Sequence, residues 1–304
     1  MSRTRLSKVL VFGATGAQGG PVVRQLLARG VEVRAVTRDP RKLDSLFGGG
    51  VERATADLGD LAALRTAFRG VDTAFFHLPI PRDLVAVPVH LANVLEAAGQ
   101  AELSRLVFTT SGISTEQMPS NGFVQASRAA AAAVLASGIP AVVLRPTIYL
   151  ENLLAPHLVA EMSESGVLRY PPVNPKRRLS WTALEDQAAL AIAAMTADGI
   201  VGRAIDIASP EALTGNELAA RLSVYLGREV RFAPQTPLRF GEEFGRAYDN
   251  LALGRGIAEL YEAIDQLPPD GAVIAPDPIL TALASELTPV SQWIAKQRWV
   301  SVVA

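Results

Sequence analysis

Short apolar runs alternate with longer amphipathic stretches through the first half of the chain. The runs are "KVLVFGA" (8–14), "EVRAVTR" (32–38), "VERATAD" (51–57), "DTAFFHL" (72–78), "RLVFTTS" (105–111) and "PAVVLRP" (140–146). Between them, 18–29, 60–69, 84–99 and 124–137 place apolar residues at helical spacing. Runs rich in Val, Phe and Ala suit strands buried on both faces, and a crossover of a dozen or so residues joins parallel neighbours. Right-handed crossovers then predict an α/β fold built on a doubly wound parallel sheet.

From Glu151 the order changes. "ENLLAPHLVAEMSESG" predicts a helix ending at Gly166, and 186–199 another, with Asp186 near its N-terminus, where the helix dipole favours a carboxylate. Residues 203–209 read as a further strand. Thr214 is placed as an N-cap, Glu217 completes a capping box and Gly227 follows the helix end. Residues 238–264 read as helical, 267–278 as a Pro-rich loop, and a last helix starts near Pro289. The Ala129–Ala133 run fills a helix, Ala being the best helix former.

Composition narrows the function. The 304 residues carry a formal net charge of -1, so no global field attracts nucleic acid or anionic lipid. The densest basic cluster, Lys176-Arg177-Arg178, reads as a solvated loop. With no cysteine, disulfides, thiolate metal sites and Cys nucleophiles are excluded, and a reducing cytoplasm is the expected location. His77, His90 and His157 lie far apart, so no metal site is expected. No apolar run approaches the roughly 20 residues of a membrane helix. The basic-then-apolar start breaks at Gly13 before a signal-peptide core is complete, and the chain reads as soluble and uncleaved.

The candidate chemistry starts at "VLVFGATGAQGG". Gly13, Gly16 and Gly19 follow a predicted strand and open a predicted helix. Gly13 allows the tight turn, Gly16 lets backbone approach a diphosphate, and Gly19 lets helix and sheet pack closely. The N–H groups of Thr15, Ala17 and Gln18 then face the ligand at a helix N-terminus. The spacing GxxGxxG is weak alone, but inside a βαβ pattern it predicts a Rossmann nucleotide site. At the end of the second run, Arg38 and Lys42, one helical turn apart, suit a 2′-phosphate, so NADP(H) is preferred over NAD(H). Asp39 is expected to cap the next helix. Asp57 and Leu58 are placed at the adenine, and His77, Leu78 and Pro79 beneath the cofactor's centre. The resulting division is a dinucleotide-binding domain over 1–153, rejoined by 178–209, and a smaller, mostly helical substrate lobe made of 154–177 and 210–304.

Together these segments resemble the NmrA-like family of atypical short-chain dehydrogenase/reductases. The resemblance covers nearly the whole chain: "GATGAQG", "RAVTRDPRKL", "VLRPTIYLENL" (143–153), "LSWTALEDQAALAIAAM", "IDIASPEALTGNELAARLSVYLGREV" and the tail "LTPVSQWIAKQRWV". It implies that Pro146, Thr147, Tyr149 and Asn152 line the nicotinamide end. It also sets the departure that matters most. Counting back from "ASGIPAVVLRP", the usual Tyr-x-x-x-Lys positions fall on Phe123 and Ser127, while Ser111 matches the active-site Ser. A positioned general acid contributes about 10²–10⁴ in rate. Its loss shifts the expected substrate to an activated small-molecule acceptor, aromatic or quinone-like, or a conjugated carbonyl. Ser111 and Tyr149 are the catalytic candidates. His157 and Tyr170 face the cleft only if the second lobe folds over it. Two other readings stand beside this: a silent NADP(H) sensor that binds a protein partner, and a tailoring enzyme of secondary metabolism. A monomer or homodimer is expected.

Overall fold

The computed structural model describes residues 6–79, 85–114, 116–284 and 286–299. The six apolar runs are the strands β1 (Lys8–Val11), β2 (Glu32–Thr37), β3 (Glu52–Thr55), β4 (Thr73–His77), β5 (Arg105–Thr109) and β6 (Ala141–Pro146). Three short strands follow, β7 (Ile148–Tyr149), β8 (Val167–Tyr170) and β9 (Leu179–Thr182), before β10 (Ala204–Ile207). The main sheet is seven-stranded and parallel throughout, in the order β3-β2-β1-β4-β5-β6-β10. Most runs outlast their strands at the C-terminal end, because the chain leaves the ladder there to turn.

Helices α1 (Gly19–Ala28), α2 (Arg41–Phe47), α3 (Leu61–Phe68), α4 (Val87–Gly99), α5 (Gly122–Leu135), α6 (Pro156–Ser165) and α7 (Leu184–Thr196) account for the crossovers. On one face Val9, Val11, Phe75 and Val107 meet Val22, Val23 and Leu26 of α1 and Ala188 and Ala191 of α7. On the other, Leu10, Phe76, Leu106 and Phe108 meet Leu64 of α3, Leu91 and Val94 of α4 and Val134 of α5. Successive residues of a strand thus enter different cores, which is why the runs are continuously apolar. Each large side chain so buried contributes about 1.5–3 kcal/mol.

The rest of the chain is β11 (Ala212–Leu213), α8 (Gly215–Leu226), β12 (Arg231–Pro234), α9 (Pro237–Ala247), α10 (Leu251–Asp265), α11 (Pro278–Leu283) and α12 (Val290–Lys296). Two small sheets, β11-β9-β7 and β12-β8, knit it together. Its core gathers Tyr170, Trp181, Leu222, Phe240, Tyr261 and Trp293. The capping box of α8 forms as expected: Thr214 Oγ1 accepts from the Glu217 N–H, and Glu217 accepts from the Thr214 N–H. Among the described residues no helix is long and apolar enough to cross a membrane.

Several expectations need correcting. Residues 238–264 form a hairpin of two helices. Asp249 takes a left-handed backbone (φ +48°), and the Asn250 side chain accepts from the Leu253 N–H at 3.0 Å and restarts the helix. The two helices touch backbone to backbone: a Cβ at Gly241 would stand 2.4 Å from the Gly254 carbonyl oxygen. The "ENLLAPHLV" helix is broken too, into a 3₁₀ turn over Leu150–Leu154 and α6, because Pro156 donates no N–H to the turn before it. Arg177 is not solvated: only 4% exposed, its guanidinium donates to the carbonyls of Asp265, Leu267 and Pro268 and pins the Pro-rich loop. Asp39 stands one residue ahead of the N-cap Pro40, and its side chain still accepts the N–H of Arg41, the first residue of α2.

Three carboxylates tie the C-terminal elements to the rest of the fold. Glu259 of α10 accepts from the Phe123 N–H at 2.7 Å, at the start of α5. Glu151 accepts from the Leu184 N–H and from Trp293 Nε1. Asp186 sits in the first turn of α7 as expected, yet its carboxylate accepts from Ser209 Oγ and the Thr288 N–H rather than serving the helix. Burial raises the affinity of Glu151 and Asp186 for a proton.

Candidate active site

The strand order reverses between β1 and β4, the position at which a doubly wound sheet forms its ligand crevice beyond the C-terminal ends of the strands. The glycine loop leaves β1 on one side of it, and His77 ends β4 on the other. Gly13 has φ +61°, and a Cβ there would stand 2.4 Å from His77 Nε2. A Cβ at Gly19 would stand 2.5 and 2.6 Å from the carbonyl oxygens of Gly13 and Phe12, so α1 starts in direct contact with the strand end. The Gly16 N–H turns back to the Gly13 carbonyl (2.8 Å), whereas the N–H groups of Ala17, Gln18 and Gly19 meet no backbone carbonyl among the described residues. Thr15 is half-buried, and Gly16 and Ala17 are exposed. Unpaired donors at a helix N-terminus, in a cradle that side chains would fill, fit a diphosphate.

Arg38 follows β2 directly. It is exposed and makes no hydrogen bond or ion pair among the described residues, and Lys42 is exposed beside it. Asp39 is turned aside. Its carboxylate accepts from Arg41 Nε and the Arg41 N–H, each at 3.2 Å, and the Arg41 guanidinium holds it below the usual carboxylate range. Asp57 closes on the Gly59 N–H at 2.8 Å, and the Leu58 carbonyl accepts from Asn93 Nδ2. His77 holds the Leu78 carbonyl at 3.2 Å through Nδ1, its Nε2 is buried without a partner among the described residues, and burial lowers its proton affinity. Leu78 is half-buried and Pro79 exposed.

Two candidates, Ser111 and Tyr149, come together through Gln18. Gln18 Nε2 donates to Ser111 Oγ at 2.7 Å. The Tyr149 hydroxyl donates to Gln187 Oε1 at 2.6 Å and lies 3.3 Å from Gln18 Oε1. Ser111 holds a left-handed backbone (φ +62°), an uncommon state for a residue with a Cβ and one that clusters at functional sites. Burial keeps the Tyr149 phenol protonated well beyond its ordinary range.

Other candidates lie outside this group. Pro146 is buried, and the Thr147 hydroxyl turns inward to Thr182 Oγ1 at 2.7 Å. Asn152 stands against the hydroxyls of Tyr170 and Tyr261. Tyr170 is 1% exposed and bonds Tyr261 within the lobe's aromatic core, so it lines no cleft. The His157 ring is edge-on to Phe244, 6.5 Å away. Phe123 packs its ring on the backbone of Gly112, where a Cβ would stand 3.0 Å from Cζ, and beside Gly256. Ser127 is half-buried one helical turn on, and the nearest cation in sequence, Arg128, donates to the Met118 carbonyl.

Sequence reasoning passed over Gln187. Its one trace was an amide in the helix "LEDQAALAIAAM", where every neighbour from Ala188 to Met195 is apolar and buried. A cleft of about 630 Å³ beside β3 and α3, lined by Arg34, Arg53 and Arg69 among others, contains none of these residues.

Sequence and fold comparisons find related reductases. The (4-alkanoyl-5-oxo-2,5-dihydrofuran-3-yl)methyl phosphate reductase of Streptomyces griseus is 35% identical over 225 residues, 74% of this chain and 76% of its own. The NAD(P)H azoreductase of Xenophilus azovorans is 30% identical over 266 residues, 86% of this chain and 88% of its own. The triphenylmethane reductase of Citrobacter sp., solved with NADP(H), superposes with a TM-score of 0.79 at 25% identity, over 95% of this chain and 99% of that one. Residues 5–251 match the NmrA-like family as a whole, and the chain belongs to that family.

Proposed function

We propose that this protein is an NADPH-dependent oxidoreductase acting on an electrophilic, conjugated small molecule such as a quinone, a conjugated carbonyl or a dye. The observation that carries the reading is the glycine cradle at the strand reversal with the Ser111–Gln18–Tyr149 cluster beside it. The names of the three relatives compared above point to a dihydrofuranone phosphate, azo compounds and triphenylmethane dyes, all conjugated acceptors.

The N–H groups of Ala17, Gln18 and Gly19 hold the diphosphate. Arg38 and Lys42 take the 2′-phosphate, with Asp39 withdrawn onto Arg41, so NADP(H) is favoured over NAD(H). When bound, the reduced nicotinamide supplies a hydride. The chain's own part is to orient the acceptor, exclude water and stabilise an oxygen on which charge builds. Phe123 has no proton to give, and an unactivated ketone would lose the roughly 3–5 kcal/mol that a general acid contributes. A quinone oxygen takes its proton from water afterwards, so the missing Tyr–Lys pair selects the acceptor class.

Fluorescence titration with NADPH and NADH, followed by oxidation assays with quinones, an enone and a cationic dye, tests this. Turnover with at least one acceptor is expected. Tight NADPH binding with none oxidised would replace the reading with that of a redox sensor.

A further inference from the structure

The cluster beside the glycine loop has a direction. Tyr149 donates to Gln187 Oε1, Gln187 Nε2 donates to Gln18 Oε1 at 3.3 Å, and Gln18 Nε2 donates to Ser111 Oγ. Each amide accepts at its oxygen and donates at its nitrogen, so the bonds run head to tail across two glutamines. The last oxygen, Ser111 Oγ, accepts, and its own proton is bound to nothing among the described residues.

We propose that Gln187 and Gln18 are positioning residues whose one-way chain of hydrogen bonds from Tyr149 leaves the Ser111 hydroxyl free to donate to an oxygen of the bound acceptor. The inference rests on the reading of the site given above and names how that site grips an oxygen. The opposite direction, Ser111 to Gln18 to Gln187 to Tyr149, satisfies the same amides but matches the chemistry worse. A phenol is the stronger donor and a weak acceptor, because its lone pairs delocalise into the ring. An aliphatic hydroxyl is the better acceptor. The direction from Tyr149 to Ser111 uses each group for what it does best, and burial keeps Tyr149 a phenol. Gln187 is fully buried on α7 and cannot turn to solvent for other partners. Gln18 belongs to the glycine loop, so the donor is set from the same segment that frames the diphosphate. The left-handed backbone of Ser111 is the kind of local strain that persists where surrounding structure holds a side chain in place.

The test uses the full chain without coenzyme and two probes, 4-nitrophenolate and 4-nitrotoluene. They share a nitroarene, and only the first offers an anionic oxygen. Wild type is expected to bind the phenolate more tightly. Ser111→Ala and Gln187→Met should each weaken phenolate binding about tenfold, the worth of one charge-assisted hydrogen bond at the low end. Neither should change 4-nitrotoluene binding. The double variant should lose no more than either single variant, because both act on one donor. Gln18→Met, at a half-buried position, should reproduce the effect if Gln187→Met does not fold. Additive losses in the double variant, or equal affinity of wild type for the two probes, would overturn the proposal. A chain that discriminates the phenolate but takes up no NADPH would support this donor and remove the coenzyme reading.

Discussion

Two adjacent glycines should respond in opposite directions to the same substitution. At Gly19 a Cβ would stand 2.5 Å from the Gly13 carbonyl oxygen, 2.6 Å from that of Phe12 and 2.7 Å from the Gly13 carbonyl carbon. All three are backbone atoms of the loop and strand end, and none can rotate away. Gly19→Ala therefore forces α1 off the sheet, at a cost of about 1–3 kcal/mol for overpacking a close contact. At Gly20 the nearest atoms are the Ala14 carbonyl oxygen and Arg24 Nη1, both at 3.5 Å, which is ordinary van der Waals contact. Gly20 lies inside α1, so Gly20→Ala should gain up to about 1 kcal/mol from helix propensity. The two variants should differ by roughly 1–4 kcal/mol. Urea unfolding followed by far-ultraviolet circular dichroism measures the difference, and an NADPH titration on the same samples measures the cradle. Gly19→Ala should unfold at lower urea and bind NADPH more than tenfold more weakly, while Gly20→Ala keeps its affinity. An unfolding midpoint for Gly19→Ala at or above that of Gly20→Ala would refute the packing argument.

Arg38→Ala should weaken NADPH by about 10-fold or more, the worth of a charge-assisted contact to phosphate, and leave NADH within about twofold; equal losses for both coenzymes in a fluorescence titration would remove Arg38 from the 2′-phosphate. Phe123→Tyr with Ser127→Lys should not confer reduction of simple ketones, since Cζ of Phe123 already abuts Gly112 and a hydroxyl there meets backbone; robust ketone turnover in a coupled NADPH assay would contradict this. Asp186 has a raised proton affinity in the fold, so its contribution is largest below the ordinary Asp range and falls as pH rises through its raised folded value. The stability of wild type minus that of Asp186→Asn should therefore fall from pH 4 to pH 7 in urea titrations, and a difference that rises would reverse the sign.

The parallel sheet was legible because strands buried on both faces leave unbroken apolar runs, and the glycine loop because a turn, a close approach and a helix start each constrain one position. What escaped was set by contacts between distant segments. Gln187 carries no local signature; its role comes from Tyr149 and Gln18 arriving from other elements. Arg177 read as solvated because its partners, the carbonyls around Leu267, lie 90 residues away. The hairpin of α9 and α10 looked like one helix because apolar periodicity continues across the break, and only Asp249 and Asn250 mark it. Strands of two to four residues such as β7 and β12 are too short to show a period of two.

Dinucleotide uptake by the amide-lined cradle after β1 underlies every role assigned to the site. Calorimetric titration of the purified full chain with NADPH tests it most directly. A single saturable site is expected, with NADH bound more weakly under the same conditions. Heats indistinguishable from dilution for both coenzymes would contradict it.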